Sequence, residues 1–242
     1  MIVVICAAGE SKRIKGLTKN KLLLEVNGKM LLKRVLDNVV QKNVKKIVMV
    51  IGYDADKIKK AVGNEHNGVK IEYVFNDHYK TKGNMSSLYA AKDHIDDDLV
   101  FTTGDLIIMK ENAKRIFNYN GTGILVDTRE EAKTVSDVLK FSLVNGKFKE
   151  VSKKMEPEKV YAVACGLYKF KLDAAKKFYK IMEEHFKKRE NDLPWNIPVE
   201  ELFQVHEVKP VLSDGSFCMD IDTPEDFKIV SEELKKKKKK KD

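Results

Sequence analysis

Residues 1–9 read Met-Ile-Val-Val-Ile-Cys-Ala-Ala-Gly, an unbroken apolar run that ends at a glycine. A short run of this kind, rich in β-branched residues, is typical of a strand that is buried on both faces. Strands buried on both faces occur mainly in parallel sheets that helices cover on both sides. The start of the chain therefore favours an α/β fold with a covered sheet.

From residue 29 to residue 102 the sequence alternates between two periodicities. Apolar residues at helical spacing give way to short β-branched runs, and the order repeats. The predicted helices are 29–42, Asp54–Val62 and Ser86–His94, and the predicted strands are Lys46–Ile51, Val69–Phe75 and Leu99–Thr102. This alternation predicts a Rossmann-like, three-layer α/β fold, in which a mixed, mostly parallel sheet carries helices on both faces. Such sheets bind ligands at the carboxyl ends of their strands.

The second half of the chain has a more mixed pattern. Asn145-Gly146 is a typical two-residue hairpin turn. Thr223, followed by Pro224, is typical of a helix start. Further strands are predicted at Gly123–Asp127, Leu139–Val144, Val160–Phe170 and Phe217–Ile221, a helix at Ala174–Arg189, and a loop or helix start at 193–195. Because no long Gly, Ser or Pro-rich linker and no internal repeat divides the chain, we expect one domain over 1–234 and a separate tail over 235–242.

The formal charge of +9 comes from 46 basic and 37 acidic residues, but most of it lies in the tail. Residues 235–241 are seven consecutive lysines. Without 235–242 the chain keeps 39 basic and 36 acidic residues, which does not indicate a nucleic-acid-binding face. We expect the tail to be an unstructured, solvated run or an added sequence. The alternative is a peripheral contact with an anionic membrane surface, where each lysine contributes about 1 kcal/mol.

The three cysteines, Cys6, Cys165 and Cys218, have no paired spacing and lie in apolar, strand-like surroundings. We interpret them as small buried residues in a reducing compartment. Residues 1–8 have no basic start and are too short for a signal peptide or a membrane span. These features predict a cytoplasmic location.

Small and cationic residues follow the first strand. Ala7-Ala8-Gly9 allows backbone N–H groups to approach a phosphate, and Lys12 and Arg13 add positive charge beside them. Lys21 precedes an apolar segment, so its stem can pack while its ammonium reaches back toward the loop. The loop lacks the further glycines of a P-loop or a dinucleotide-binding motif. Taken alone, it is explained equally well as a structural turn.

Carboxylates stand at the ends of two other predicted strands. Asp105 follows an apolar strand, and Asp220 and Asp222, two residues apart, point the same way if the backbone is extended. Carboxylates from distant segments suit an octahedral Mg²⁺ that keeps waters and binds substrate phosphates. The alternative for Asp222 is capping of the helix that follows.

These segments together resemble the sugar-nucleotidyltransferase superfamily. The resemblance rests on Ala7-Ala8-Gly9 with Arg13, on Lys21-Leu-Leu-Leu-Glu-Val-Asn-Gly-Lys, and on the later Gly104-Asp105 and 219–226. Three departures affect the shape of the loop: Glu10-Ser11-Lys12 replaces a glycine-rich continuation, and Asn20 and Met30 stand where prolines are usual. The implied fold is that of the nucleotide-diphospho-sugar transferases.

Asn76 and the segment Gly83-Asn84-Met85-Ser86-Ser87-Leu88 point to one branch of this superfamily. The segment is similar to that of the cytidylyltransferases that act on inositol 1-phosphate or phosphocholine. Asn and Ser side chains offer the short donors and acceptors that a pyrimidine edge requires. The alternative is that Asn84 or Ser86 only caps a helix.

The resemblance implies a role for each matching residue. It implies catalysis by Arg13 and Lys21 and a metal on Asp105, Asp220 and Asp222. The implied nucleotide-binding residues are Ala7, Ala8, Gly9, Glu10, Ser11, Lys12, Asn76, Asn84, Ser86, Ser87 and Gly104. The implied acceptor-binding residues are Gly166, Trp195 and, for the acceptor's phosphate, Lys149, Glu150 or Lys153, among which the sequence does not decide. Core packing is an equally good explanation for Trp195. The nucleotide-binding part is expected over about 1–110 and the acceptor-binding part over about 111–234.

The resemblance thus implies a magnesium-dependent transfer of CMP from CTP to a phosphorylated alcohol, with release of pyrophosphate. The expected partners are CTP and a small phosphorylated acceptor, and the expected assembly is a monomer or a homodimer. One alternative is a sugar-1-phosphate nucleotidyltransferase that uses UTP, GTP or dTTP. The other is a non-catalytic nucleotide-binding protein. The sequence leaves the acceptor open, with inositol 1-phosphate or phosphocholine favoured over a sugar phosphate.

Overall fold

The computed structural model describes residues 1–14, 16–135, 137–188 and 192–239. Its strands are β1 (Ile2–Ala7), β2 (Glu25–Val26), β3 (Lys29–Met30), β4 (Lys46–Ile51), β5 (Glu65–His66), β6 (Val69–Phe75), β7 (Leu99–Thr103), β8 (Leu106–Ile108), β9 (Gly123–Asp127), β10 (Lys140–Val144), β11 (Lys147–Ser152), β12 (Ala162–Phe170), β13 (Lys209–Leu212) and β14 (Cys218–Asp220). Its α-helices are α1 (Leu31–Val39), α2 (Ala55–Val62), α3 (Met85–Ala90), α4 (Lys110–Asn118), α5 (Glu130–Lys133), α6 (Leu172–Lys187), α7 (Asn196–Val205) and α8 (Pro224–Lys239).

The central sheet is mixed, as the sequence predicts, and its order is β11-β10-β12-β7-β1-β4-β6-β5, with β9 joined to β12 and β13 to β9. The strands β7, β1, β4 and β6 run parallel, with Ile2 opposite both Leu99 and Lys46. The strand β12 then runs antiparallel to β7 and joins the second half of the chain to the sheet. The carboxyl ends of the four parallel strands therefore lie at one edge of the sheet.

Helices cover both faces because β1 buries side chains on both. Val3 and Ile5 pack in one cluster with Leu36 of α1, Ile58 of α2 and Ile116 of α4. On the other face, Ile2 and Val4 pack in a cluster with residues from α3, α6 and α7: Met85, Leu88, Phe178, Met182, Val199 and Leu202. Each fully buried side chain of this size contributes about 1.5–3 kcal/mol. The predicted three-layer arrangement is confirmed.

Local signals account for several elements. The Asn145-Gly146 turn joins β10 to β11, and both residues have positive φ, 52° and 72°, as a tight hairpin requires. The helix α6 covers the predicted one through Lys187; Lys188 is its C-cap, and Arg189 lies outside the described residues. The helix after 193–195 begins at Asn196. The sequence pattern does not predict β8, α4 or β13, because the two strands are very short and α4 begins with polar residues.

The last helix corrects the expectation of an unstructured tail. Thr223 Oγ1 accepts the backbone N–H of Asp226 at 3.2 Å, while Asp226 Oδ2 accepts that of Thr223 at 2.8 Å, a reciprocal cap. From this start α8 continues without interruption through Lys239, so five of the seven lysines are helical. Residues 240–242 of the expected tail lie outside the described residues.

The cysteines lie in strands β1, β12 and β14, as expected, and all three are free thiols. Cys165 is buried, whereas Cys6 and Cys218 are partly exposed. Within the described residues, no helix combines the length and the apolar character that a membrane crossing needs.

Candidate active site

The loops at the carboxyl edge of the parallel strands surround a cleft of about 550 Å³. The backbone N–H of Gly104 donates to the carbonyl of Cys6 at 2.9 Å, which places the loop after β7 beside the loop after β1. The β14 strand pairs with β8, and Ile221 N–H donates to the carbonyl of Asp105 at 3.2 Å. A segment more than 100 residues away in sequence therefore brings Asp220 and Asp222 next to Asp105.

Six charged side chains line the cleft in a row of alternating sign, which we call the charge chain. Its members, in spatial order, are Lys153, Asp137, Arg13, Asp222, Lys21 and Asp105. Lys153 Nζ lies 2.6 Å from Asp137 Oδ1, and Arg13 lies 3.0 Å from Asp137 Oδ2 and 2.8 Å from Asp222 Oδ2. Substrate phosphates are suited to replace the carboxylates beside each cation, and a metal ion is suited to bind the carboxylates.

Lys21 lies at the centre of the acidic group. Its backbone N–H donates to Ser11 Oγ at 3.1 Å, and Asn20 Oδ1 caps the turn by accepting the N–H of Leu22. Its ammonium contacts Asp105 and lies 2.6 Å from Asp222 Oδ1. Burial lowers the pKa of Lys21, but the two carboxylates outweigh burial and raise the pKa above its ordinary value. Lys21 is therefore a fixed positive charge at neutral pH.

Asp220 lines the cleft, and its side chain is exposed there. Thr103 Oγ1 donates to its Oδ1 at 3.0 Å. Desolvation, followed by repulsion from the Asp105 carboxylate, raises the pKa of Asp220 to about 7. Three carboxylates thus crowd one end of the cleft with more negative charge than Lys21 and Arg13 neutralise locally.

The carboxylates suit a divalent cation. Asp105 Oδ1 is buried and has no hydrogen-bond partner among the described residues, which is costly unless a cation or a donor is bound there. The described residues contain no group of three or more His, Cys, Asp or Glu side chains arranged to hold a metal. Mg²⁺ does not need such a cage, because it usually binds one or two carboxylates and takes its other ligands from water and phosphate.

Cys6 also lines the cleft but is not suited to nucleophilic attack. Burial, with a smaller contribution from the Asp105 carboxylate, raises the pKa of the Cys6 thiol to about 12. The thiol stays protonated at neutral pH, and a protonated thiol is a poor nucleophile. The geometry therefore favours direct transfer between substrates over a covalent intermediate on this residue.

Gly9 leaves open space at the start of the cleft. A Cβ at this position would meet no atom of the described residues within 4 Å, and Gly9 is not among the glycines with positive φ. Neither packing nor backbone conformation requires glycine here. Close approach of a ligand to the backbone is the physical reason that remains.

The segment proposed to read the base is held by a buried amide. Asn76 is 3% exposed and its Nδ2 donates to the hydroxyls of Ser86 and Ser87 at 3.1 and 3.0 Å. Ser86 in turn donates to the carbonyl of Gly83. Asn84 Oδ1 accepts the backbone N–H of Trp195 at 2.9 Å, so this side chain links the two halves of the cleft.

An aromatic cluster forms the floor of the opposite side. Tyr168 stacks on Phe101 with ring centroids 4.6 Å apart, and Trp195 packs edge to face against Tyr168 at 4.7 Å. The hydroxyl of Tyr168 is buried and has no hydrogen-bond partner in the part of the chain that the structure describes. Gly166, with φ 72°, passes so close to Leu106 that a Cβ would lie 2.8 Å from its side chain.

Most of the predicted site residues line this cleft: Ala7, Ala8, Gly9, Ser11, Lys12, Arg13, Lys21, Asn84, Ser87, Asp105, Lys153, Gly166, Trp195, Asp220 and Asp222. The others do not line it: Glu10, Asn76, Ser86, Gly104, Lys149 and Glu150. Asn76 and Ser86 support the lining from behind. Lys149 and Glu150 are exposed on β11, before the chain reaches Lys153 at the cleft.

Several lining residues carry no sequence signal. They include Asp137, Tyr79, Lys82, Thr103, Tyr168 and Asn196. Asp137 is linked to Arg13, 124 residues earlier, and to Lys153, 16 residues later. Such a role depends on contacts between distant segments, which no local pattern records.

A mixed α/β sheet that gathers cations and carboxylates beside a glycine loop at one strand edge is the arrangement that the sequence resemblance to nucleotidyltransferases predicts. The chain belongs to the family of MobA-like NTP transferase domains, which it matches over residues 3–134. This confirms the resemblance to the nucleotidyltransferase superfamily that the sequence motifs indicate.

Named relatives and a solved structure agree with this family. The chain is 30% identical over 235 residues to a bifunctional IPC transferase and DIPP synthase of Aquifex aeolicus, covering 96% of this chain and 51% of that protein. It is 32% identical over 133 residues to the UTP–glucose-1-phosphate uridylyltransferase AglF of Haloferax volcanii, covering 54% and 50%. The inositol-1-phosphate CTP transferase of T. maritima shares the fold with a TM-score of 0.79 at 17% identity, over 97% of this chain and 95% of that one. The chain thus spans about half the length of the curated relatives it matches.

Proposed function

We propose that the protein transfers CMP from CTP to a phosphorylated alcohol and releases pyrophosphate, with Mg²⁺ as cofactor. The charge chain is the observation that carries this proposal, because it offers cations to phosphates and carboxylates to a metal in one cleft. The choice of CTP is supported by the bifunctional IPC transferase relative and by the Asn84 and Ser87 side chains in the cleft.

The reaction needs no covalent enzyme intermediate. An oxygen of the acceptor's phosphate attacks the α-phosphorus of CTP in line, the bond from that phosphorus to the bridging oxygen breaks, and pyrophosphate leaves. Arg13 and Lys21 stabilise the negative charge on the triphosphate and in the transition state. Asp105 and Asp222, with Asp220 beside them, would hold the metal, and a bound Mg²⁺ would supply further positive charge at the phosphates.

Two features of the aromatic floor support a polyol phosphate, such as inositol 1-phosphate, over phosphocholine. Phe101 lies between the parallel rings of Tyr168 and Phe178, at 4.6 and 5.6 Å, so its faces are already covered. The buried hydroxyl of Tyr168 has no partner within the described residues, and a hydroxyl of the acceptor could pair with it. A quaternary ammonium is instead recognised by open aromatic faces.

We also propose that about 1–110 form the nucleotide-binding part and about 111–234 the acceptor-binding part. The lining of the cleft supports this division. It draws Arg13, Lys21 and Asn84 from the first part and Lys153, Gly166 and Trp195 from the second. The end of the second part returns to the first through Asp222. The free cysteines among the described residues support the proposal that the protein is located in a reducing compartment such as the cytoplasm.

The test is pyrophosphate release by the purified protein with each of the four NTPs against inositol 1-phosphate, phosphocholine and glucose 1-phosphate. We expect turnover with CTP and inositol 1-phosphate, and its loss when Mg²⁺ is chelated. Asp105→Asn, which keeps size but removes the charge, should lower turnover at least ~100-fold. Turnover without CTP preference would reject the proposed nucleotide.

A sugar-1-phosphate nucleotidyltransferase that uses UTP is the second candidate. The observation that favours it is the 32% identity to the uridylyltransferase of Haloferax volcanii, over a stretch that covers 54% of this chain. The same assay decides between the two, because UTP with glucose 1-phosphate is one of its arms.

A further inference from the structure

Two cations at the mouth of the cleft share one carboxylate. Arg13 Nη1 lies 3.0 Å from Asp137 Oδ2, and Lys153 Nζ lies 2.6 Å from Asp137 Oδ1. Each oxygen of this carboxylate therefore faces a different cation. Two cations that bracket a flat anion in this way form a site that other oxyanions can fill.

Asp137 binds this position only loosely. The side chains of Arg13, Asp137 and Lys153 are 57%, 55% and 50% exposed. Exposed ion pairs of this kind gain little stability, because water screens them and long side chains lose freedom in forming them. A ligand with a stronger charge can displace the carboxylate without a large cost to the fold.

We propose that Asp137 occupies the subsite for the acceptor's phosphate, and that its own charge restricts this subsite to dianionic phosphate monoesters. This inference rests on the proposed function, because it assigns the group that the acceptor presents to the nucleotide. It adds a specificity-determining residue that the sequence motifs do not indicate.

The position of Arg13 supports the assignment. Its Nη2 lies 2.8 Å from Asp222 Oδ2, at the end of the cleft proposed for the metal and the nucleotide, while its Nη1 faces Asp137. A phosphate that replaces the Asp137 carboxylate would therefore bind the same guanidinium, that of Arg13, which also faces the end of the cleft proposed for the nucleotide. This places the attacking group next to the phosphorus that it must reach.

Charge competition explains the selectivity. The carboxylate of Asp137 carries one negative charge and is tethered beside its cations, so a free monoanion competes poorly with it. A phosphate monoester carries a charge of about −1.5 to −2 at pH 7 and has three acceptor oxygens. Lys153, followed by Arg13, lowers the pKa of Asp137, so the competitor stays ionised at neutral pH.

The test compares the wild-type protein with Asp137→Asn, using methyl phosphate as a dianion and dimethyl phosphate as a monoanion. Asparagine tolerates the left-handed backbone of residue 137, φ 61°, so the substitution removes charge without a new backbone strain. Binding of both probes is measured by calorimetry without CTP. The KM of the phosphorylated acceptor is measured in turnover.

We expect the wild-type protein to bind methyl phosphate but not dimethyl phosphate. Asp137→Asn should bind methyl phosphate about 2- to 5-fold more tightly, bind dimethyl phosphate measurably and lower the acceptor KM. Adding Lys153→Met to this variant should abolish these gains. Asp56→Asn makes the same charge change at an exposed position outside the cleft and is the control for net charge. It should change neither the binding of the two probes nor the acceptor KM.

Weaker or unchanged binding of methyl phosphate by Asp137→Asn would overturn the inference and make Asp137 a residue that holds the two cations in place. The binding arm does not depend on catalysis. If no NTP is turned over but the anion pattern appears, the proposed function fails while the subsite stands. If CTP is turned over and Asp137→Asn raises the acceptor KM, only the subsite fails.

Discussion

The two ends of the central strands both carry clusters of charge, but they use that charge differently. At the amino end, Asp97 contacts Lys45 at 2.5 Å and the ammonium of Met1 at 3.3 Å. Asp98 accepts the backbone N–H of Leu172 at the start of α6 and contacts Lys171, both at 3.0 Å. Both carboxylates there have partners for their oxygens.

At the carboxyl end the charge is incompletely satisfied. Among the described residues, one buried oxygen of Asp105 has no partner, and the pKa of Asp220 is raised to about 7, first by desolvation and then by Asp105. The amino end therefore stabilises the fold, whereas the carboxyl end retains unused capacity to bind ligands. A buried polar group without a partner costs free energy until a ligand satisfies it.

Lys21→Met should have the largest effect and should act on catalysis. The variant removes the central cation of the charge chain, and the loss of one such preorganised charge typically lowers turnover about 100- to 1,000-fold. The measurement is kcat/KM for pyrophosphate release. Lys19→Met, two residues away and exposed, is the matched control and should retain activity. Equal losses in both variants would mean that Lys21 acts only through the general charge of the loop.

Lys169→Met should have the largest effect at the opposite end, and it should act on stability. Lys169 is 4% exposed, and its Nζ donates to the carbonyls of Phe117 and Tyr119 at 2.8 and 2.6 Å, where α4 ends. Without it, two carbonyls lose their donor, which should lower the free energy of unfolding by about 1–3 kcal/mol. Urea denaturation measures this loss.

Activity below the unfolding transition should be unchanged in Lys169→Met, because this residue lies outside the cleft. A large loss of turnover in a folded Lys169→Met protein would break the contrast between the two ends. It would show that the amino end also controls the geometry of the site.

How far the sequence predicts these two ends depends on how local each feature is. The strands β4 and β6 match their predicted bounds because each is a short β-branched run between turn residues. Asp105, Asp222, Arg13 and Lys21 lie together in the cleft. The loops of Arg13 and Asp105 follow parallel strands whose carboxyl ends share an edge, whereas Asp222 follows β14, which pairs antiparallel with β8.

The remaining features depend on distant contacts. Asn76 has the right residue type for base recognition, but it faces the hydroxyls of Ser86 and Ser87 from a buried position. Asp137 becomes part of the site only when β11 brings Lys153 beside it. At the amino end, Asp97 likewise finds its partners in Met1 and in Lys45, just before β4. Asp98 pairs with Lys171, just before α6. No local pattern contains that information.

Gly9→Ala should separate stability from activity at one residue, raising the first and lowering the second. A Cβ at Gly9 would meet no protein atom within 4 Å, and the glycine has no positive φ. Replacement of such a glycine typically stabilises a protein by about 0.4–1 kcal/mol. The new methyl group should nevertheless obstruct the phosphate approach and lower kcat/KM about 10-fold. The pair of measurements is thermal unfolding and pyrophosphate release.

The matched control for this change is Gly104→Ala, where a Cβ would lie 3.2 Å from Leu22 and 3.4 Å from Ala7. That variant should lose stability, because those neighbours must move. If Gly9→Ala kept full activity, the loop after β1 would not contact the substrate closely.

Asp97→Asn should have the smallest effect, and that effect should depend on pH. The pKa of Asp97 is lowered from 3.8 to about 2, mainly by a hydrogen bond from Lys45. Partial burial opposes this shift, and the Asp98 N–H and the Met1 ammonium add to it. A carboxylate with a lowered pKa stabilises the fold above its unfolded pKa and loses that contribution as the pH falls through the folded value. The wild-type protein should therefore exceed the variant in unfolding free energy at pH 6. The difference should decline between pH 4 and pH 2.

Solvent screening keeps this difference below about 1 kcal/mol, because the partner Lys45 is 72% exposed. Denaturation curves at pH 6, 4 and 3 measure the decline, and 1 M salt should shrink the difference at pH 6. A difference that stays constant from pH 6 to pH 3 would show that the substituted asparagine fails in packing or hydrogen bonding instead of in charge. The ion pairs at the amino end would then stabilise the fold through packing and hydrogen bonds and not through their charge. Only the carboxyl end would then depend on charge.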